Sequence, residues 1–427
     1  MADEGQLVTS IKRAELDLPP SCIEFCPAFP SYFVVGTYSL QPDGSGNDNG
    51  QGGEEEIGER QERARQPQSR KGSIILFRLI EGELTKLYTE QYPSAVLDLR
   101  FSPHQFCRDI FAVVSSTATV SLYRVVYGSA ARLRHLRMLD IVSMSKGAIT
   151  PELGSEIIFT SFSWHSTRTD VLAISSTPGQ VYIVRLPPLN KLPAAMDEPP
   201  APGEWHLYEE PVLTHTLESW TVVISPSMGL PVLGQADEGD YFCRVYSGGD
   251  DSMLRYRTCK WDKDGNFSAD LPAIESRGHD AGVTAILPLF FADDGRELVV
   301  TGSYDEHIRL FAVPVFGKAV NLAKSCLGGG VWRLNLINLK KEPKKGEYRW
   351  RASILASCMH AGARIVELRQ TEGGEYQFRV LVRFEEHKSM NYGSDITPDK
   401  WREKLPVVST SFYDKLLCVW EIHRDII

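Results

Sequence analysis

Short apolar runs separated by tight polar turns recur along this chain, and long helical periodicity is nearly absent. Such runs read as β-strands. Four units carry a fuller pattern: Tyr241 to Arg257 (YFCRVYSGGDDSMLRYR), Glu297 to Val313 (ELVVTGSYDEHIRLFAV), Arg351 to Leu368 (RASILASCMHAGARIVEL) and Leu405 to Ile422 (LPVVSTSFYDKLLCVWEI). In each, an apolar strand leads to small residues, a polar turn and a second strand with an aromatic or aliphatic end. The turns at Asp251, Asp305, His360 and Asp414 follow one another at about 54 residues.

That spacing exceeds the ~40–45 residues of a WD repeat, and longer loops account for the excess. The units resemble WD repeats, with Val419-Trp420-Glu421 nearest to the usual Trp-Asp ending. Weaker units follow the same template. Ser21 to Leu40 and Ser73 to Tyr92 each supply two strands; Ala95 to Val126 supplies three around the turn Ser115-Ser116-Thr117, and Leu136 to Met144 a fourth. Glu156 to Leu186 repeats this around Ser175-Ser176-Thr177, and Ser219, Gly282, Gly330 and Asn391 open the last four. The predicted fold is all-β, a single seven-bladed WD-type β-propeller over residues 1–427. The seventh blade lacks an outer strand, and Gln6 to Lys12 (QLVTSIK) is placed to supply it and remove a free sheet edge. Residues 41–70, rich in Gly, Gln, Glu and Arg, read as a disordered insertion, and residues 187–202 as a Pro-rich loop.

Composition narrows the function. The 427 residues are 42% hydrophobic with a net charge of −9 and no long Lys/Arg block, which argues against nucleic acid as a direct partner. Met1 to Ser10 lacks the apolar core of a signal peptide, and no run approaches the ~18 apolar residues of a membrane helix. The eight cysteines are scattered, Cys22 and Cys26 sitting in a strand-like segment, so neither a disulfide framework nor a metal knuckle is expected. A monomeric cytoplasmic protein without metal or cofactor is the expectation. No Gly-x-Ser-x-Gly elbow, His-Glu-x-x-His helix, phosphate loop or dinucleotide fingerprint occurs.

By likeness to WD proteins, the turns between second and third strands share one face with the connections between blades. That face collects SGGDD (247–251), SYDEH (303–307), CMHAG (358–362) and SFYD (411–414), together with His215, His279, Gly328–Gly330 and His387. Trp220, Trp332 and Tyr392 begin or precede first strands and are placed to rim the central channel. In WD repeats a His before the first strand and an Asp in the later turn often lock a blade. His279 with Ser303 and Asp305, His215 with Asp251, and His387 with Asp414 match this arrangement. Asp250, Tyr304, His307, His360 and Asp395 have no place in it.

The wording of the turns also resembles one family. Tyr246-Ser-Gly-Gly-Asp-Asp251, Thr301-Gly-Ser-Tyr-Asp-Glu-His-Ile308, Gly329-Gly-Val-Trp-Arg333, Cys358-Met-His360 and Ser411-Phe-Tyr-Asp414 are similar to the WD-repeat diphthine methylesterases, also called diphthine methyltransferases. Val35-Gly-Thr-Tyr-Ser-Leu40 and Tyr392-Gly-Ser-Asp395 extend the likeness, which is strongest from Tyr241 onward. The resemblance implies an esterase acting on elongation factor 2. In that pathway a histidine of the factor is extended and methylated to a trimethylammonium product bearing a methyl ester, and the family removes the ester. Our own reading of the residues takes His360, His307 or His279 as the water-activating base, assisted by Asp251 or Asp305, with amides of Gly248-Gly249 or Gly328–Gly330 holding the oxyanion. A covalent route through Ser247, Ser303 or Ser411 is the alternative chemistry. Trp220, Asp250, Tyr304, Trp332, Tyr392, Asp395 and Tyr413 are the candidate substrate-binding residues, because a quaternary ammonium favours an aromatic and acidic surround. A non-catalytic WD adaptor in translation-linked or vesicle-trafficking assemblies is the competing function.

Overall fold

A strand whose two faces are both covered needs apolar side chains at successive positions, and this is how the second strands read. In Ile110–Ser115, Phe111 and Val113 pack to one side while Ala112 and Val114 pack to the other. The same alternation separates Val171 and Ala173 from Leu172 and Ile174. In the computed structural model each sheet therefore has an apolar layer on both faces, and seven such layers fill the seven gaps between seven sheets. The ring is closed because the last layer joins Val408, Leu417 and Val419 to Ile23, Phe33 and Ile75. The structure describes residues 5–40, 70–128, 130–145, 149, 157–187, 189, 206–208, 210–225, 241–262, 265–341 and 348–427. The 41–70 insertion, up to residue 69, and most of the 187–202 loop lie outside them, while Arg70 opens a strand.

The seven sheets follow one another along the chain, each built outward from an inner strand by antiparallel pairing of its own successive strands. The inner strands are Pro20–Phe25, Val96–Phe101, Phe159–Trp164, Ser219–Ile224, Val283–Phe291, Arg333–Lys340 and Gly393–Ile396. Close approach of one blade to the next requires small residues. A Cβ on Gly248 would lie 2.6 Å from Val283 of the fifth blade, and one on Gly302 2.5 Å from Val331, which leads into the sixth. These are the glycines of the SGGDD and TGSYDEH motifs, so part of that wording records blade packing.

An N-terminal strand closes the last blade as expected, but the expected Gln6 to Lys12 stretch divides between two blades and only its end, Lys12, takes part. Lys12–Glu15 is the outer strand of blade seven, antiparallel to Leu416–His423. Gln6–Val8 instead runs parallel to Tyr376–Phe384 and adds a fifth strand to blade six. The break falls at Ser10, whose N–H donates to Glu386 at 3.1 Å, while Arg13 pairs with the same carboxylate at 2.9 Å. One acidic side chain between two blades thus steers the strand from one edge to the next. The fourth strand of blade two is Arg132–Asp140, and the residues after it form the short helix Ile141–Met144. All eight cysteines are free thiols, seven of them buried. Among the described residues no helix is long and apolar enough to cross a membrane.

Candidate functional site

The inner strands start at one mouth of the channel, and the residues at their starts and in the neighbouring turns meet there. Trp332 is central. Its ring lies 5.9 Å from Trp220, 5.8 Å from Tyr304 and 4.9 Å from Tyr392, centroid to centroid. Tyr392 continues to Phe412 at 5.5 Å, and Phe412 to Tyr38 at 5.7 Å and Tyr413 at 5.1 Å. These rings line a cavity of about 450 Å³, the size range of a small-ligand site. The aromatic wall carries one carboxylate: the Trp220 indole N–H donates to Asp250 at 2.6 Å. Gly282 leaves room for it, since a Cβ there would lie 2.6 Å from the Asp250 oxygen and 3.0 Å from the Tyr304 ring. Burial, Asp250 and Tyr392 together push the Tyr304 hydroxyl well above the ordinary tyrosine range, so it stays a neutral donor.

Below the rings a smaller cavity of about 40 Å³ continues into the channel, with Thr160, Ser161, Thr221, Thr284, Arg100 and Arg333 on its walls. Asp98 organises this floor. It accepts from Arg333 at 2.7 Å, Arg100 at 3.1 Å, Ser161 at 2.9 Å and the Leu99 amide at 2.9 Å. Although Asp98 is buried, the two guanidiniums and these donors hold its carboxyl below the usual range. Deeper still, Glu24 accepts from the Phe101 amide at 2.8 Å and Asp395 from the Phe25 amide at 2.7 Å. Burial and the neighbouring Asp395 push Glu24 up to about 8, and burial raises Asp395 to about 6.

Of the proposed substrate-binding residues, Trp220, Tyr304, Trp332, Tyr392 and Tyr413 line the mouth, with Asp250 bonded to the first. Asp395 does not join them. It lies three residues along the chain below Tyr392 and is taken by the Phe25 amide and by Asn335 at 3.3 Å.

The proposed catalytic residues divide into two groups. Asp251 bonds His215 at 2.9 Å, the Thr216 amide at 3.1 Å and Arg255, all of which hold its carboxyl far below the usual range, while His215 reaches Ser247 at 3.0 Å. His279 is buried, bonded to Thr301 at 2.8 Å, and burial lowers it to about 4. Its partner is Thr301 rather than Ser303, because the residue four before the turn aspartate faces the imidazole, as Ser247 does relative to Asp251. Asp305 accepts from Arg309 at 2.7 Å and the amides of Asp280 and His307 at 2.8 and 3.0 Å, and sits at about 2. His387 bonds Ser409 at 2.8 Å, to which the Trp420 indole also donates. These are blade-locking networks. Ser247, Ser303 and Ser411, the serines of the covalent alternative, are fully buried within the same layer.

His307 and His360 are in a different setting. The His307 ring is 2.6 Å from the Asp305 carbonyl through Nδ1, and its other nitrogen makes no hydrogen bond among the described residues. The His360 side chain is 57% exposed, with Nε2 4.0 Å from Glu306. The preceding Met359 faces Gly330, whose Cβ would lie 2.7 Å from the Met359 sulfur and 3.4 Å from Tyr304 Cα. Residue 360 therefore sits on the rim beside the Tyr304 wall. Gly248 and Gly249 lie within the strand Tyr241–Gly249, Gly248 paired on both sides and Gly249 with Ser219. Gly328–Gly330 is the connection into blade six.

Sequence reasoning missed Tyr38, Phe412 and the whole channel floor. One signal for the floor was available: Glu24, Asp98, Arg100 and Arg333 are charged residues inside otherwise apolar strand segments (SCIEF, VLDLRF, VWRL).

Fold and site together define a seven-bladed WD-type propeller with an aromatic, ligand-sized cavity at one mouth. No family model matches the chain. It is similar along nearly its whole length to a protein from Schizosaccharomyces pombe named diphthine methyltransferase, 25% identical over 412 residues and 95% of each chain. A Saccharomyces cerevisiae protein of the same name is 23% identical over 378 residues, 82% of this chain and 88% of its own. A Mus musculus protein so named is 32% identical over 151 residues, 35% of this chain and 27% of its own. The resemblance read from the turns is borne out by these relatives.

Proposed function

We propose that this chain is a carboxylic ester hydrolase of diphthamide biosynthesis, removing the methyl ester from methylated diphthine on elongation factor 2. The observation that carries the reading is the mouth itself: three rings converging on Trp332, with Asp250 bonded to one of them. A quaternary ammonium cannot donate hydrogen bonds, so aromatic faces and a nearby carboxylate are the groups that select it. With the trimethylammonium there, the ester on the same carbon lies within the cavity and the protein substrate covers the face outside. The chain acts on this partner as a cytoplasmic monomer.

In the hydrolysis a water oxygen forms the new bond to the ester carbon. The bond to methoxide breaks, and the methoxide takes a proton and departs as methanol. His360, supported by Glu306, is the base we assign to water activation, and His307 is the second candidate on the same rim. Both have an imidazole nitrogen free, which the buried His279 does not offer to the cavity. Asp251 and Asp305 serve this site indirectly, by holding the turns that carry Asp250 and Tyr304.

Mass spectrometry of methylated elongation factor 2 incubated with the purified chain tests the reading. The expected result is loss of one CH2 with release of methanol. Stable co-purification of the two proteins without turnover would overturn it. His360→Ala is expected to lower turnover by about 100-fold or more, and unchanged turnover in both His360→Ala and His307→Ala would remove the assignment of the base.

A further inference from the structure

The floor beneath the rings has a use that the cation-binding mouth leaves unexplained. Arg333 directly follows Trp332, so its guanidinium enters the channel one residue below the centre of the aromatic wall. The side chain is only 11% exposed, and Asp98 binds one of its ends, through Nη2 at 2.7 Å. Its Nη1 and Nε make no hydrogen bond among the described residues, and Arg333 lines the 40 Å³ floor cavity together with threonine and serine residues. Asp98 is not given to Arg333 alone, because Arg100 shares the carboxylate. Two guanidiniums thus converge on Asp98 below a cage for a cation, with the carboxyls of Glu24 and Asp395 deeper in the channel. A planar donor edge held by a partner on its far side is the arrangement that recognises a carboxylate.

We propose that mouth and floor form one betaine-shaped site: the rings take a quaternary ammonium, and the free edge of Arg333 takes a carboxylate on the carbon that bears it. The inference rests on the reading of the mouth as a quaternary-ammonium subsite and extends it to a second ligand class, free small betaines. In the ester the carbonyl oxygen meets Arg333 as a neutral acceptor. After hydrolysis the same position carries a full negative charge, so the site holds the product more tightly than the ester. Arg333 is then a specificity residue and Asp98 the residue that positions it.

Calorimetric titration of the full chain with choline, glycine betaine and glycine betaine methyl ester separates the two halves of the site. Glycine betaine is expected to bind about tenfold more tightly than choline or the methyl ester. Arg333→Gln is expected to erase that preference, Arg333→Lys to restore part of it, and Trp332→Ala to weaken all three ligands together. Equal affinity of the wild-type chain for choline and glycine betaine would overturn the proposal. So would an Arg333→Gln protein, folded by circular dichroism, that keeps the preference. Should Arg333→Gln not fold, the wild-type ratio decides. The ratio is read without turnover. A ratio of one beside intact turnover removes this proposal alone, and absent turnover beside the tenfold preference removes the enzyme reading alone.

Discussion

Asp250 and Asp251 are neighbours in one turn and belong to two different layers of the molecule. Asp251 is saturated by His215, Arg255 and the Thr216 amide, and its side chain is 6% exposed. The Asp250 side chain accepts one bond among the described residues, from Trp220, whose ring lines the cavity. The same division separates Thr301 and Asp305, which lock blade five, from Tyr304, which faces the mouth, and Ser409 from Phe412 and Tyr413 in blade seven. Polar groups whose bonds are all satisfied within the protein have nothing left for a ligand. Function therefore falls to the residue beside the lock, and the lock makes that residue's position repeatable. The lesson is local. A turn rich in His, Ser and Asp is one residue away from chemistry in either direction, and only the count of bonds tells which.

Several substitutions set the two layers against each other. The largest effect is expected from Asp251→Ala, which leaves the buried His215 without its carboxylate and Arg255 with Glu275 alone. It should cost roughly 3 kcal/mol of stability, read from urea unfolding, while binding of quaternary ammonium by the remaining folded protein stays close to wild type. A folded protein with no affinity would merge the two layers. Trp332→Ala removes the ring shared by Trp220, Tyr304 and Tyr392. It should weaken choline binding and slow ester turnover on the order of 100-fold, with secondary structure unchanged by circular dichroism.

The next effect concerns pH. Burial lowers His387 to about 4 against an ordinary value of 6.5. Between those values the unfolded chain binds a proton that the folded chain does not, so this stability is complete above pH 6.5 and is lost as pH falls toward 4. The contribution is roughly 3 kcal/mol. Glu24 and Asp395, raised by burial, act in the opposite sense, so the measurement is a difference. His387→Gln should be less stable than wild type at pH 7 and lose less on going to pH 4.5, and identical pH slopes would contradict the lock. The smallest effect is expected for Asp250→Asn. It keeps the acceptor for Trp220 and removes one charge, weakening choline about threefold to tenfold with no change in melting temperature.

Much of this protein was legible before any tertiary contact was known. The unbroken apolar runs of segments such as FAVVS, the turns about 54 residues apart and the small residues before them determined strands, blades and their number, because both faces of every blade must be buried. The positions of Trp220, Trp332 and Tyr392 at the starts of inner strands placed them on the channel by topology alone. Other features depended on distances across the ring. Whether the His279 imidazole, the Ser247 hydroxyl or the Asp251 carboxylate is free or occupied depends on partners 22 to 36 residues away. The pairing of Arg333 with Asp98 spans 235 residues, and the N-terminal strand divides because Glu386 of a distant blade meets Ser10. A linear pattern records which residues share a face. It does not record which of their donors and acceptors are already satisfied, and in this fold that accounting separates the lock from the site.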